Sequence, residues 1–437
     1  MTTIRQLSQS FPSISESSTT LVGWVEKIQS FPKHTFVTLR QGAKEKVQVF
    51  IKGKVSFRPE SYISISGKVV PLPEGKFSHQ PFEIQTTSYE VISPSEEDFM
   101  SRCPEDASVE VTYDQRHLYL RTDKYATILK LRSLFLRALR EYFESTDMTE
   151  IVPPCFTGTQ CEGGATLFKI DHVGTPAYLT QSSQFYLEYA VPAVGDCYCI
   201  YPSFRAEKSH TRRHLTEFLH AETEWSGILK FDDHLDKLRH MVRGILQKFL
   251  DLDTFDLLGK FGRRKAIEEY SKMEIVTMTH RQAIEYCRQH GIYKHDETQT
   301  HFADRDDIPE AQERKMIDEI GKIVLLTKFP LEHKSFYMAS DPEDPSYSLG
   351  CDVEVPGVGE VIGSGVRVSD EKELRQRLKD QGLKEEEYKE YIDLRKYGHG
   401  KTSGMGLGVD RMLTWLLGAY SIREVVTYPR YPGRLFP

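Results

Sequence analysis

No apolar run in the 437 residues approaches the roughly 18 that a membrane-spanning helix needs. The opening Met-Thr-Thr-Ile-Arg-Gln-Leu-Ser has no apolar core or cleavage site, which excludes a secretory signal at this end. Cysteine is sparse, seven residues in all, and no second pair stands at ligand spacing beside Cys197 and Cys199. That excludes a disulfide scaffold and a zinc knuckle, and predicts reduced thiols in a cytoplasmic protein. Nor is there an excess of positive charge. With 57 Lys and Arg against 64 Asp and Glu, the net charge is −7. A polybasic, nonspecific nucleic-acid binder is excluded, whereas an RNA enzyme with local basic patches is not. Repeats and low-complexity segments are absent.

What is present is an ordinary globular composition, 39% hydrophobic and 28% charged, in a chain long enough for two or three domains. Residues 1–95 read as short strands, with no helix beyond the N-terminal tail. The runs are Leu21–Ile28, Thr35–Arg40, Lys46–Ile51, Tyr62–Val70 and Phe82–Ile92, separated by glycine and proline. Five such strands suggest a small barrel of the oligonucleotide-binding (OB) type, with an SH3-like barrel as the competing architecture. Residues 96–122 read as a hinge. From 123 to 437 the pattern changes. Helical spacing through Lys124–Ser145 leads into the strand-like Glu150-Ile-Val-Pro153-Pro154, and irregularly mixed strands and helices follow. This predicts an α+β domain built on an antiparallel sheet flanked by helices.

Three segments carry chemistry. In Ser203-Phe-Arg205-Ala-Glu207 through Arg213-His214-Leu-Thr-Glu217-Phe218, two strand-like pieces flank a basic tip. A hairpin there offers guanidinium forks for phosphate oxygens and, in Phe218, a flat face for a purine; a solvated charged loop reads as easily. Gly404-Met-Gly406-Leu-Gly408-Val-Asp410-Arg411 reads as a glycine-rich turn entering a helix, a place where backbone and anion approach closely. Alone it is equally a packing turn. In Cys351-Asp352-Val-Glu354 through Glu360-Val-Ile-Gly-Ser364-Gly-Val-Arg367, the acids Asp352 and Glu360 on neighbouring strands can hold Mg²⁺ through oxygen, with Arg367 toward the same pocket or its rim; acids that simply face solvent are the competing reading.

In this order, after a helix and a strand ending in proline, these pieces resemble the three motifs of class II aminoacyl-tRNA synthetases. Lys124–Pro154 is similar to motif 1, Phe204–Phe218 to motif 2 and Gly406–Arg411 to motif 3. The preceding barrel narrows the resemblance to subclass IIb, the aspartyl, asparaginyl and lysyl enzymes. Several stretches look asparaginyl, among them Gln181-Ser-Ser-Gln184-Phe-Tyr-Leu187-Glu188 and Phe329-Pro-Leu-Glu-His-Lys-Ser-Phe-Tyr-Met. The C-terminal Tyr428-Pro-Arg-Tyr-Pro-Gly-Arg resembles the eukaryotic cytosolic group, without the lysine-rich N-terminal extension that many of its members carry. Two departures stand out. Lys401-Thr-Ser-Gly404 replaces the Pro-His-Gly-Gly-like turn of many relatives. Asp352 stands one residue farther from Glu360 than in aspartyl enzymes.

The resemblance implies ATP- and Mg²⁺-dependent activation of L-asparagine, transfer to tRNA(Asn), and a homodimer formed through motif 1. It places Arg205 on the substrate carboxylate and α-phosphate, and adenine between Phe218 and Arg411 near Gly408. Arg213 and His214 fall near the β- and γ-phosphates, and Glu207 near adenine or the terminal adenosine. Glu360, Ser364 and Asp352 are the implied metal ligands. Glu162, Ser183 and Gln184 are assigned to the amino-acid end. Glu188 is read as acceptor for the substrate amide, with Arg367 on the amide oxygen. Leu187 stands where aspartyl enzymes carry lysine, so the cation that would hold aspartate is missing. On the barrel, Phe36 is expected to stack on the central anticodon base and Gln48 to read its edge. The competing readings are an aspartyl enzyme, an aspartate–ammonia ligase, and an RNA-binding paralogue that does not charge.

Overall fold

The computed structural model describes residues 2–42, 45–73, 75, 78–161, 166–209 and 211–436. The chain divides into two compact units, residues 1–130 and 131–436.

The first unit contains a closed barrel in the order β1-β2-β3-β5-β4. Its strands are β1 (Ser18–Ser30), β2 (His34–Arg40), β3 (Lys46–Lys52), β4 (Tyr62–Pro71) and β5 (Phe82–Ser93), each close to the run its alternation predicts. Along β2 the pattern is strict: Thr35, Val37 and Leu39 point inward, while Phe36 and Thr38 face outward. The core joins Val37, Leu39, Val49, Ile63, Ile65 and Ile84 to two residues of the tail, Ile4 and Leu7. That tail is a short helix, Ile4–Ser10, started by a capping box in which Thr3 and Gln6 satisfy each other's backbone N–H groups.

In the second unit, β6 (Thr149–Glu150) follows the long helix Asp123–Ser145, and β7 (Phe156–Thr157), β8 (Lys169–His172) and β9 (Thr175–Leu179) form a three-stranded sheet. The remaining strands are β10 (Cys197–Phe204), β11 (Glu217–Trp225), β12 (Val276–Thr279), β13 (Val324–Thr327), β14 (Gly350–Val355), β15 (Gly359–Val366) and β16 (Ser403–Gly408). With β6 they make one eight-stranded sheet, ordered β12-β13-β14-β15-β16-β11-β10-β6. It is antiparallel except at its two ends, where β12–β13 and β10–β6 run parallel. The helix Phe231–Leu252 buries Leu235, Leu238, Met241, Val242, Ile245 and Phe249 on one stripe, and Phe249 meets Phe135 edge-on at 5.6 Å.

One expected turn is a strand. Ser403–Gly408 lies between β15 and β11 near the middle of the sheet. Its glycines are there because side chains from β11 cross it. A Cβ on Gly404 would stand 2.0 Å from Glu224 Oε2, and one on Gly406 2.4 Å from His220 Nε2. Among the described residues no helix is long and apolar enough to cross a membrane.

Candidate active site

The chemistry-bearing segments meet around a cavity of about 350 Å³ on one face of the large sheet. Arg205, Glu207, Arg213, His214, Phe218, Asp352, Glu360, Arg367, Gly408 and Arg411 all line it, as does Gln184. The hairpin reading of the second motif is the observed one. Strands β10 and β11 pair in register to Phe204↔Glu217, and the Arg205 N–H donates to the carbonyl of Thr216 at 3.0 Å. Thus Arg205 stands on the rigid base of the hairpin. Its guanidinium carbon is 5.4 Å from the Phe218 ring centroid.

At one end of the cavity, charge is dense. Arg411 donates from Nη1 to Glu360 Oε2 at 3.1 Å, and Arg213 approaches the same carboxylate at 3.6 Å and Glu310 at 3.4 Å. Burial works to raise the Glu360 carboxyl, but Arg411, Arg213 and Lys334 outweigh it and hold it at about 2. His214 lies against Thr211 and Ser209; burial and the Arg411 charge lower it, so the ring is neutral at pH 7. Asp410 accepts from Arg132 and from the Leu219 N–H (3.1 Å), which ties the start of the helix Val409–Leu417 to β11.

The two metal-ligand candidates on β14 and β15 converge through a β-bulge. Val353 pairs with Ile362, but Glu354 pairs with Glu360, so Val361 opposes no residue. This surplus residue turns Glu360 to the face of Asp352 and Gly363, which strict alternation would deny it. An oxygen of Glu360 and one of Asp352 lie 3.2 and 3.7 Å from where a Cβ on Gly363 would stand. Burial and the Glu360 charge raise the Asp352 carboxyl to about 6, against the pull of Lys334, whose Nζ donates to Asp352 Oδ2 at 2.7 Å. Ser364, next along the strand, is a correction. Its hydroxyl donates to the carbonyl of Cys351 and meets His234 Nε2 at 3.0 Å, on the face opposite to the carboxylates. It is not disposed as a metal ligand. Two carboxylates fit one oxygen-liganded divalent ion whose other positions are left to phosphate and water. Among the described residues no cluster of three such ligands exists.

The amino-acid end also departs from expectation. Glu162 lies outside the described residues. Ser183 is buried with 0% exposure, gives its backbone N–H to Glu222 at 2.8 Å and is not among the residues that line the cavity. Ser182 and Gln184 are. Glu188 shares a helix face with Gln184 but sits one turn deeper, fully buried. Its carboxylate accepts from Gln184 Nε2 (3.0 Å), Tyr391 Oη (2.8 Å) and Arg395 Nη2 (2.8 Å). Burial opposes its charge, but Arg395 and Arg367 prevail and hold its pKa below the ordinary value. Fully buried, engaged by three donors and absent from the cavity wall, Glu188 braces Gln184. Leu187 packs with Val191, Cys197 and Cys199 in a small apolar cluster.

Two carboxylates unremarked in the sequence occupy the decisive places. Glu222 lines the cavity, accepting from Ser182 Oγ and the Ser183 N–H. Glu224, fully buried, binds Arg367 through Nε (3.1 Å) and Nη2 (2.9 Å), while Arg367 Nε stands 3.8 Å from Glu188. Burial raises the Glu224 carboxyl to about 7 although Arg367 pulls it down. The signal was available: in His220-Ala-Glu222-Thr-Glu224, period-two spacing puts both acids on one strand face.

On the barrel, Phe36 sits outside the core in a four-ring group with Phe31 (6.0 Å), His34 (5.1 Å) and Phe50 (5.7 Å). Gln48, two residues before Phe50 on β3, donates to Glu83 at 2.8 Å.

Residues 108–432 match the family described as tRNA synthetases class II (D, K and N). The chain is similar to the cytoplasmic asparagine–tRNA ligase of Debaryomyces hansenii, with 39% identity over 425 residues that cover 95% of this chain and 76% of that one. It is similar in structure to asparaginyl-tRNA synthetase of Entamoeba histolytica in complex with asparaginyl-adenylate, at 32% identity and a TM-score of 0.88 over 97% of both chains. The asparaginyl-tRNA synthetase of Pyrococcus horikoshii, also complexed with asparaginyl-adenylate, gives 30% identity and a TM-score of 0.91, covering 100% of this chain and 99% of that one.

Proposed function

The chain belongs to the class II tRNA synthetases of the D, K and N type, and from that membership and the charges around its cavity we infer that it is an asparagine–tRNA ligase. It consumes ATP to activate asparagine and passes the amino acid to tRNA(Asn). The observation that carries the choice of amino acid is the pairing of Arg367 with Glu224 beside Glu188. Two guanidinium nitrogens are committed to Glu224, which leaves Nη1 for the oxygen of an uncharged amide. A substrate carboxylate there would add a third anion beside Glu224 and Glu188, which already engage Arg367 and Arg395, and like charge disfavours it.

The proposed roles combine what the family resemblance implies with the lining of the cavity. Glu222 and Gln184 receive the α-ammonium, with Ser182 fixing Glu222 and Glu188 fixing Gln184. Glu162, outside the described residues, keeps only the role that the family resemblance implies for it, on the α-ammonium. Arg205 holds the asparagine carboxylate against the α-phosphate. Phe218 and Arg411 enclose adenine near Gly408, Arg213 and His214 take the β- and γ-phosphates, and Glu207 faces adenine or the terminal adenosine. Asp352 and Glu360 would hold Mg²⁺, which supplies charge neutralisation on the phosphates. A carboxylate oxygen of asparagine attacks the α-phosphorus and pyrophosphate leaves. The terminal adenosine hydroxyl then attacks the carbonyl carbon of the adenylate and AMP leaves. No side chain acts as nucleophile; positioning and charge stabilisation carry the rate.

ATP–pyrophosphate exchange with asparagine, aspartate and lysine in parallel tests the inference. Exchange with asparagine alone is expected. Equal exchange with aspartate would overturn the specificity, and no exchange with any of the three would leave a binding protein.

The barrel reads the anticodon through Phe36, supported by its outward-facing ring, with Gln48 beside it. Phe36→Ala is expected to lower tRNA charging by about 10- to 100-fold, the ~1–3 kcal/mol of one base–aromatic stack, with pyrophosphate exchange unchanged. Equal charging by mutant and wild type would remove the role. Cytoplasmic location is supported by the relatives named as cytoplasmic enzymes. A homodimer is supported by the exposed apolar residues Val152 (79%), Phe156 (52%) and Val173 (95%). Sedimentation as a single-chain species would remove that assignment.

A further inference from the structure

Lys334 has no part in the roles above, yet its ammonium lies in the densest field of the cavity. It stands on the loop between β13 and β14, after a short helical turn, Leu331–His333. Its stem is held: the backbone carbonyl accepts from Gln381 at 3.0 Å, and Nζ lies 3.6 Å from the Phe329 ring centroid. Its side chain is 19% exposed and lines the cavity, so a hydrogen of Nζ remains for a ligand after the bond to Asp352 Oδ2. An ammonium carries its charge at neutral pH, and this one stands 2.7 Å from the Asp352 carboxylate.

We propose that Lys334 is a phosphate ligand of ATP, a fixed cation beside the Asp352–Glu360 pair that takes one carboxylate oxygen out of metal coordination and thereby sets how strongly the site demands a divalent ion. The inference rests on the synthetase reading above. The geometry gives Lys334 two effects of opposite sign. Its charge attracts the triphosphate directly. Its bond to Asp352 competes with any cation for the same carboxylate. Removing the ammonium therefore weakens the grip on ATP while freeing Asp352 for metal. A lysine that only supported the fold would not separate the two.

The test uses ATP without amino acid, so that no reaction proceeds, with binding followed by calorimetry in EDTA and across a Mg²⁺ titration. In Lys334→Met, affinity for metal-free ATP is expected to fall by about 10- to 100-fold, the size of one lost charge-assisted hydrogen bond. The Mg²⁺ concentration that half-restores binding is expected to move down, not up. Lys334→Arg should keep most of the metal-free affinity. Should the single variant fail to fold because Asp352 is stranded, Lys334→Met with Asp352→Asn removes the pair together; it should lose ATP affinity without gaining affinity for Mg²⁺. Unchanged metal-free ATP binding in a folded variant would overturn the proposal, as would parallel loss of ATP and Mg²⁺ affinity. A wild-type protein that bound no ATP and exchanged no pyrophosphate would instead remove the synthetase reading itself.

Discussion

Arg205→Ala is expected to lower asparagine-dependent ATP–pyrophosphate exchange by about 10²–10³-fold, equivalent to roughly 3–4 kcal/mol of lost transition-state stabilisation. The magnitude follows from where this guanidinium stands. It is anchored at the hairpin base, where its own N–H closes the β10–β11 ladder on Thr216, and it lies over Phe218 inside the cavity. In the proposed geometry it faces the oxygens between which negative charge builds as the carboxylate attacks phosphorus. A preorganised donor there needs no reorientation during the reaction, so its removal falls on kcat more than on KM for asparagine. Arg205→Lys should recover only part of the rate, because one ammonium cannot bridge two acceptors as a planar fork does. Exchange within a few-fold of wild type in a folded Arg205→Ala protein would refute the role.

Arg367→Leu is expected to have the second large effect, on two measurements at once. The side chain is 5% exposed and Glu224 and Glu188 are 0% exposed, so leucine would leave Glu224 buried without its partner. Breaking a buried pair in this way costs about 3–5 kcal/mol, visible as a lower denaturant midpoint. Glu224, already raised to about 7 by burial, would then take up a proton more readily still. Asparagine-dependent exchange should fall by at least about 100-fold, since a site built around a polar contact is left with an unmet partner. The partner-removing double variant, Arg367→Leu with Glu224→Gln, should regain stability but not asparagine activation. If the single variant kept wild-type exchange, the amide would have to be recognised elsewhere in the cavity.

Period-two patterns carried most of the fold. The barrel strands were legible because residues such as Val37 and Leu39 alternate with Phe36 and Thr38, and the long helices because Leu235, Leu238 and Val242 recur at helical spacing. Less legible was the segment Gly404-Met-Gly406-Leu-Gly408, whose glycines suggest a turn. They alternate too, and Gly404 and Gly406 are small because Glu224 and His220 of β11 occupy the space above them. At the amino-acid end, sequence neighbourhood misled in a simple way. Helical spacing establishes that Gln184 and Glu188 share a face, but not how deep along it the cavity reaches. The carboxylate one turn farther in became a brace, and the wall was left to Glu222. Ser364 failed for the opposite reason: the parity of a strand is countable, but the bulge that resets it is not.

That bulge has a consequence for how such chains are compared. Because Val361 is surplus, Glu360 shares the face of Asp352 although it stands eight positions on, an even interval that unbroken antiparallel pairing would place on the opposite face. The chemically meaningful quantity is the parity of side-chain orientation, and a single inserted residue preserves function while altering the interval between acids. A search pattern with a fixed gap would discard this chain. Conversely, excising Val361 alone would make Ile362 and Glu360 neighbours, and plain alternation would keep the Glu360 carboxylate opposite Glu354 on the Asp352 face, so the pair of anions should survive the deletion.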